Sequence, residues 1–296
     1  MKRANIIIGT LFLTGLNLVS QQDDFPKLTG SYFGQKPPGM TPEIFAPGIV
    51  SIPNSAEYSG TFSPDGSEYY FYRVSKNEPE KIFFSKLEDG KWTGPALAAF
   101  AEGYPAYEPA ILFDNKKLYF AWEHPNPAEE KGIPGIPGMW LTTRTKNGWS
   151  MPKYAGRGMW ISSSRDGQIY ITDLLWQSGG PLAKVTVKDG RFTGYKKLSG
   201  GMDALRNKQD MAHPCIDPDG NFLLFDVNGG SYLYVCFRMP DGTWGEAIDL
   251  TRHGFDQEAG GAYVSPNGKY LFFHLKGDIW WVDIKVIEKL KPKESK

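Results

Sequence analysis

Short apolar runs alternate with polar, glycine-containing turns along most of the chain, and no repeat follows the 3.6-residue spacing of a helix. A four-residue turn around Asp-Gly or Asn-Gly (Asp-Asn in the second copy) recurs five times, at residues 63–66, 112–115, 164–167, 217–220 and 265–268. The last residues of consecutive copies lie 49, 52, 53 and 48 positions apart. A repeat of about fifty residues is typical of a propeller or a solenoid.

Each repeat predicts four antiparallel strands. An apolar run leads into the turn and an aromatic-rich run leaves it, which is the pattern of a β-hairpin. A third run ends in a second glycine-containing turn that is closed by an aromatic residue in four repeats, namely Trp92, Trp149, Phe192 and Trp244. A fourth run completes the unit. The pattern therefore predicts an all-β fold, a five-bladed β-propeller of four-stranded antiparallel blades.

The N-terminal part of the propeller is predicted to close the ring. The fifth repeat ends after its third strand, whereas an unassigned β-prone segment, residues 43–50, precedes the first repeat. Pairing this segment beside residues 279–284 would remove two open sheet edges, which are aggregation hazards. A two-sheet sandwich is the alternative fold, but sandwiches rarely repeat so regularly.

The start of the chain has the features of an export signal. Lys2 and Arg3 precede an apolar stretch at residues 6–19, which is short for a membrane span and suits a signal-peptide core. We therefore expect a signal peptide at residues 1–20, a single propeller domain at 28–290 and a basic tail at 291–296. The mature chain is expected to be periplasmic or extracellular, without a transmembrane anchor.

The two cysteines are expected to be unpaired. Cys215 lies in the first predicted strand of the fourth blade and Cys236 in the third, so one strand separates them. Two strand spacings amount to about 9–10 Å, beyond the roughly 7 Å between Cα atoms that a disulfide can bridge. Buried free thiols are therefore predicted.

Composition removes several classes of function. The chain has 33 Lys and Arg residues and 33 Asp and Glu residues, so no global positive charge favours nucleic acid. It has no glycine-rich phosphate loop, no Gly-x-Ser-x-Gly nucleophile motif and no His-Glu-x-x-His metal motif. Cofactors stay unknown at this point, and a divalent metal bound by histidines and carboxylates is one open alternative.

The repeat resembles that of a known family. The string at residues 62–71, together with the copies at 216–220 and 264–268, is similar to the WD40-like repeat of TolB-type β-propellers. Phe113 and Arg165 replace the proline in the second and third copies. The resemblance implies an extracytoplasmic propeller and leaves the activity open, because similar repeats occur in binding scaffolds, peptidase gating domains and sugar-active enzymes.

Aligning the repeats on their turns selects five equivalent positions on the opposite face, four residues before each turn: Ser59, Glu108, Trp160, His213 and Gly261. Glu108 and His213 are the candidate catalytic residues, because a carboxylate and an imidazole at one channel mouth can act as acid and base. The alternative is structural, with both side chains bonding loop amides and Arg157.

Other side chains on this face are candidate ligand-binding residues: Tyr58, Arg73, Trp122, Glu123, His124, Arg157, Trp160, Asp173, Asp226, Glu258 and His274. Glu57, Tyr72, Tyr107 and Asp210 are their neighbours in the repeat. The second blade also carries an insertion at residues 124–138, which is predicted to roof the mouth.

Two hypotheses for function follow. The first is an exported recognition module that binds a saccharide, peptide or protein partner at the channel mouth. The second is a carbohydrate-active hydrolase or lyase that uses Glu108 and His213 as acid and base. Only Glu108 places a carboxylate at the aligned position, which favours recognition, whereas a further carboxylate within about 5–10 Å of Glu108 would favour catalysis.

Overall fold

The computed structural model describes residues 28–127, 137–175, 181–206 and 210–292, and it is an all-β chain of five small antiparallel sheets. The sheets are the blades of a five-bladed propeller, as the repeat predicted. The predicted signal peptide and most of the predicted insertion at 124–138 lie outside the described residues.

The strands follow the repeats in order. The N-terminal strand is β1 (Glu43–Ile44). Blade one contains β2 (Ser55–Phe62), β3 (Glu68–Ser75), β4 (Lys81–Glu88), β5 (Lys91–Trp92) and β6 (Ala96–Leu97). Blade two contains β7 (Ala106–Ile111), β8 (Lys117–Trp122), β9 (Gly138–Thr145), β10 (Gly148–Trp149) and β11 (Lys153–Arg157). Blade three contains β12 (Met159–Ser163), β13 (Ile169–Thr172), β14 (Leu182–Lys188) and β15 (Arg191–Lys197).

The last two blades complete the ring. Blade four contains β16 (Met211–Ile216), β17 (Phe222–Val227), β18 (Ser231–Phe237) and β19 (Ile248–Asp249). Blade five contains β20 (Gly260–Val264), β21 (Tyr270–Leu275) and β22 (Asp278–Asp283), with β1 as its outer strand. Helices are short: α1 (Asp203–Arg206), α2 (Lys285–Glu288) and 3₁₀ turns at Tyr32–Gly34, Ala99–Ala101 and Leu250–His253.

The N-terminal strand closes the ring as predicted. Glu43 lies opposite Trp281 in β22, and the Phe45 N–H donates to the Ile279 carbonyl at 2.8 Å. The paired segment is shorter than residues 43–50, because the chain turns away at Pro47, which has no N–H to donate, and at Gly48, whose φ is +79°. The turn at Pro47 and Gly48 therefore limits the paired N-terminal segment to a few residues.

The core lies between neighbouring blades, where strand side chains of one sheet pack on those of the next. Phe45, for example, is fully buried among aromatic rings of blades one and five, including Phe62 and Trp281. Cys215 and Cys236 belong to the core of blade four, on opposite sides of β17, and both are buried and free, as predicted. Burial raises the pKa of both thiols to about 12.

The repeated turns are structural. In the first copy the Asp65 carboxylate accepts hydrogen bonds from the Ser63 and Ser67 hydroxyls and from the Ser67 N–H. These bonds outweigh partial burial and lower the pKa of Asp65 to about 2. Turns of neighbouring blades are also in contact, since the side-chain amide of Asn115 donates a hydrogen bond to the Asp65 carboxylate at 2.7 Å. The five turns thus gather at one end of the central channel.

Candidate functional site

The inner strand of every blade carries one residue in the left-handed conformation at the same level. Strand pairing is interrupted there in all five blades by a β-bulge. The residues are those that the turn alignment selected: Ser59 (φ 54°), Glu108 (56°), Trp160 (50°), His213 (52°) and Gly261 (55°). A non-glycine residue in this conformation is strained, and such strain concentrates at functional sites. The five positions form a ring around the channel, which we call the bulge ring.

Glu108 and Trp160 connect blades two and three across the bulge ring. The Trp160 N–H donates to the Glu108 carboxylate at 2.7 Å. The indole of Trp160 lies over the His213 ring, with centroids 4.7 Å apart. It also reaches blade five, because a Cβ placed on Gly261 would come within 3.1 Å of it and within 2.6 Å of His274. Glycine at position 261 therefore makes room for both rings.

His213 is held between two carboxylates. Its Nδ1 lies 2.9 Å from both oxygens of Asp226, and its Nε2 lies 3.7 Å from Glu108. Asp226 is fully buried and also accepts the Gly261 N–H at 2.7 Å. The backbone N–H of His213 donates a hydrogen bond to the Thr172 hydroxyl at 3.0 Å. Asp226 therefore fixes the imidazole orientation and directs Nε2 toward Glu108.

The electrostatics of this cluster favour a charged imidazole. Burial alone would lower the pKa of His213, but Asp226 and, secondarily, Glu108 raise it to about 9. Burial raises the pKa of Glu108 above its usual range, although the charge of His213 and the Trp160 N–H act in the opposite direction. At neutral pH His213 is an imidazolium, and Glu108 is more easily protonated than an exposed glutamate.

Aromatic side chains surround the bulge ring on blades five, one and two. His274 donates from Nε2 to the Gly230 carbonyl at 3.0 Å, and burial lowers its pKa. Tyr58 stands edge-on to His274 and is stacked on Tyr72, at centroid distances of 5.1 and 5.3 Å. The Tyr107 ring lies next to Tyr72, with the two ring centroids 5.9 Å apart.

Two arginines predicted to bind a ligand are paired inside the protein. Arg73 contacts the fully buried Glu57 at 2.6 Å. Arg157 contacts the fully buried Asp173 at 2.8 Å and lies over the Tyr195 ring. The structural alternative for Glu108 and His213 predicted that both side chains bond Arg157. The structure places it against Asp173 instead, because the two residues meet where blades two and three join.

The other predicted residues are not brought to the bulge ring. His124 is enclosed by rings of Trp122, Trp140 and Tyr104, at centroid distances of 4.5, 4.8 and 5.0 Å. This aromatic cluster belongs to blade two alone. Glu123 is exposed beside it, and Glu258 is exposed with its N–H bonded to Asp256. Of the three histidines predicted for this face, His213 and His274 are neighbours and His124 is separate.

The channel below the bulge ring is narrow. Its free volume is about 50 Å³, lined by inner-strand residues of all five blades. That is room for a few water molecules and not for a sugar ring or a peptide. A sugar ring or a peptide therefore does not fit inside the channel itself.

Sequence reasoning missed the hydrogen-bond partners of His213 and of Asp226. Thr172 and the Gly261 N–H had no recognisable signal, since one is an ordinary strand residue and the other is backbone. Asp226 was predicted as a ligand-binding residue because it lies at the end of the second strand of its blade, on the same face. Its contact with His213 was not predicted, although both residues are at equivalent depths of adjacent strands.

Two features are absent from the described ranges. No group of three or more His, Cys, Asp or Glu side chains within them is arranged to hold a metal ion. Among the same residues, no helix has the length and apolar character needed to cross a membrane.

The fold and the site define a five-bladed β-propeller with a charged and aromatic mouth at one end of its channel. No protein-family model matches the chain, and no curated protein matches it. Among solved structures it is similar to TolB from Acinetobacter baumannii, with 15% identity and a TM-score of 0.47. That alignment covers 76% of this chain and 53% of TolB, so the chain spans about half the length of that protein.

Gluconolactonases are also among the similar structures. The one from Xanthomonas campestris has 10% identity and a TM-score of 0.45, covering 87% of this chain and 97% of that one. The periplasmic gluconolactonase of Pseudomonas aeruginosa has 15% identity and a TM-score of 0.40, covering 73% and 64%. Likeness at this level assigns no activity, so function has to be argued from the mouth.

Proposed function

We propose that this chain is an exported recognition protein that binds a saccharide, peptide or protein partner at the mouth above the bulge ring. The carrying observation is the cluster of Glu108, His213 and Asp226, in which side chains from two blades converge on the channel axis. Export rests on the basic and apolar pattern of residues 1–20.

The bulge ring does not require ionisable side chains. Equivalent ring positions in blades one and five are Ser59 and Gly261, which carry no charge. The left-handed conformation recurs in all five blades and belongs to the fold, whereas the carboxyl and imidazole are confined to blades two and four. Burying ionisable groups costs desolvation free energy relative to apolar packing, so their presence here is better explained by binding than by stability.

The cluster also remains reachable. His213 is 12% exposed, whereas Asp226 behind it is fully buried. Because Asp226 holds Nδ1, the Nε2 of the imidazolium, 3.7 Å from Glu108, is left as a hydrogen-bond donor in a fixed orientation. Preorganised donors of this kind give a binding site its specificity.

The first prediction concerns Glu108. Glu108→Gln keeps an oxygen that can accept the Trp160 N–H but removes the charge beside His213. We expect the variant to lose binding to ligands found with the purified protein on glycan and peptide arrays, with a small change in melting temperature. His213→Ala should lose binding as well.

The matched control is Glu68→Gln. Glu68 is also buried and charge-paired, with Arg144 at 2.8 Å, but it lies at the start of β3, at the turn end of blade one. Glu68→Gln should keep full ligand binding even if the substitution lowers the stability of the protein. Full binding by both Glu108→Gln and His213→Ala, measured below their melting temperatures, would refute the proposed site.

Catalysis on a saccharide is the second candidate. The observation in its favour is the clamp of Asp226 on Nδ1, which leaves Nε2 of His213 at 3.7 Å from Glu108, too long for a hydrogen bond. His213 would serve as the acid and Glu108 as the base.

Asp226 is the further carboxylate near Glu108, since only the imidazole ring separates them. Its oxygens are engaged by His213 and the Gly261 N–H, and it has no exposed surface, so it cannot attack a sugar. The site thus lacks an accessible carboxylate pair, and recognition is preferred. Release of a hydrolysis or elimination product from an array ligand, abolished in His213→Ala, would reverse that preference.

A further inference from the structure

The mouth contains three tyrosines that are arranged as one wall. Tyr58 and Tyr107 occupy equivalent positions, directly before Ser59 and Glu108 in the bulge ring. Tyr72 lies opposite Tyr58 in the β2–β3 pairing and between the two other rings. The remaining blades have Met159, Ala212 and Gly260 at the position of Tyr58 and Tyr107, so the aromatic wall is confined to one side.

The hydroxyls of this tyrosine wall are not used by the fold. All three side chains are half-buried, and none of their hydroxyls has a hydrogen-bond partner among the described residues. They are not enclosed in the core either: the Tyr69 hydroxyl is a buried group without a partner, and none of these three is. The three hydroxyls are therefore open to water and can exchange it for a bound molecule.

The wall faces the charged cluster. Tyr107 directly precedes Glu108 in β7, and Tyr72 contacts the Tyr107 ring. In agreement with this placement, burial and then the charge of Glu108 raise the pKa of both phenols. Tyr58 reaches the other side of the mouth through its contact with His274. One ligand above the bulge ring can therefore touch the wall and His213 together.

Most charges around the mouth are paired within the protein, namely Glu57 with Arg73, Asp173 with Arg157, and Asp226 with His213. Carboxyl groups also lie near Tyr107, namely Glu80, Glu108 and Glu123, and Glu80 and Glu123 have no ion pair among the described residues. An anionic ligand would meet these carboxyl groups and a cationic ligand would meet the His213 imidazolium, and both contacts are unfavourable in a partly buried site. A neutral ligand avoids both penalties.

We infer that the ligand of the mouth is a neutral saccharide, and that Tyr58, Tyr72 and Tyr107 select it. The inference rests on the proposed function of the mouth. Phenol rings offer flat apolar faces to the C–H side of a sugar, and each hydroxyl both donates and accepts a hydrogen bond, as sugar hydroxyls do. His213 and Glu108 add one fixed donor and one acceptor.

The experiment combines ligand class with single-atom variants. The purified protein is screened on an array of neutral, uronic-acid, sialylated and amino-sugar glycans, together with a peptide library. Binding of the best neutral oligosaccharide is then measured by calorimetry for Tyr58→Phe, Tyr72→Phe and Tyr107→Phe. We expect neutral glycans to bind, and each variant to weaken the affinity about tenfold, as loss of one hydrogen bond does.

Tyr270→Phe is the matched control. Its hydroxyl likewise bonds to no described residue, and it lies at the start of β21, beside the repeated turn of blade five. The control should bind like the parent chain. Because Tyr→Phe removes only an oxygen, the variants should also keep their melting temperatures.

The outcomes separate this inference from the function it rests on. Preference for acidic glycans, amino sugars or peptides that still depends on Glu108 would overturn the neutral-saccharide inference and keep the site. Unchanged affinity in all three Tyr→Phe variants would overturn the role of the wall. Binding that is lost in neither Glu108→Gln nor His213→Ala would overturn the site itself.

Discussion

The central residue is His213, a buried cation whose charge depends on two carboxylates. Asp226 behind it has no exposed surface and no other cation within hydrogen-bond reach among the described residues. Removing the imidazolium would leave that carboxylate without its counter-charge, which is strongly destabilising when the group is buried. The positive charge on His213 is therefore coupled to folding.

This coupling predicts a pH dependence. The pKa of His213 rises from 6.5 to about 9 on folding. Its contribution is complete below the unfolded pKa and is lost as the pH rises through the folded pKa. The free energy of unfolding should therefore fall between pH 6.5 and 9, by up to about 3 kcal/mol. Urea denaturation at several pH values within this window measures it.

His213→Gln is the comparison. Its amide can donate to Asp226 but does not titrate, so its stability should change much less over the same window. If the free energy of unfolding falls with pH equally in the parent chain and in the variant, His213 does not carry the raised pKa.

Part of the site could be predicted from single residues. Glu108 and His213 were found because the repeated turns fix the register, and the bulge ring confirms that their positions are equivalent. The separation of His124 was not predictable, because its contact with Trp122 and Trp140 depends on how blade two packs. Periodicity locates a backbone position, but side-chain partners depend on the neighbouring blade.

At the scale of elements, the predicted hairpins are confirmed, and the outer strands of blades one and four are short. The fourth strand of blade one is limited to Ala96–Leu97 and that of blade four to Ile248–Asp249. Each is followed by a 3₁₀ turn that leads into the next blade. An outer strand pairs on one side only, so few hydrogen bonds fix its length and its sequence is weakly constrained.

The clasp strand β1 offers a test at this scale. Phe45, directly after β1, is fully buried against rings of both blades that it joins. Phe45→Ala should lower the free energy of unfolding by about 3–5 kcal/mol, because it leaves a cavity in an aromatic core. Glu43→Ala in β1 removes an exposed side chain and should change stability by less than about 0.5 kcal/mol. Equal effects of the two changes in urea unfolding would argue against the clasp.

At the scale of the whole molecule, the two departures from the repeat are coupled. Phe113 and Arg165 stand where other copies have proline, and the Arg165 guanidinium lies over the Phe113 ring. Arg165 also bonds Asp219 and the Pro266 carbonyl, so it links blades three, four and five at the turn end. The bulge ring, the tyrosine wall and the charged cluster meet at the other end, which is the end proposed for ligand binding.

The central claim is that a ligand binds above the bulge ring and contacts His213. The most direct measurement is NMR of the ¹⁵N-labelled histidine imidazoles, with and without the best oligosaccharide from the array. The account predicts that the His213 signals shift on binding, while those of His253, in the 3₁₀ turn before blade five, stay in place. Saturating binding that leaves the His213 signals unchanged would contradict it.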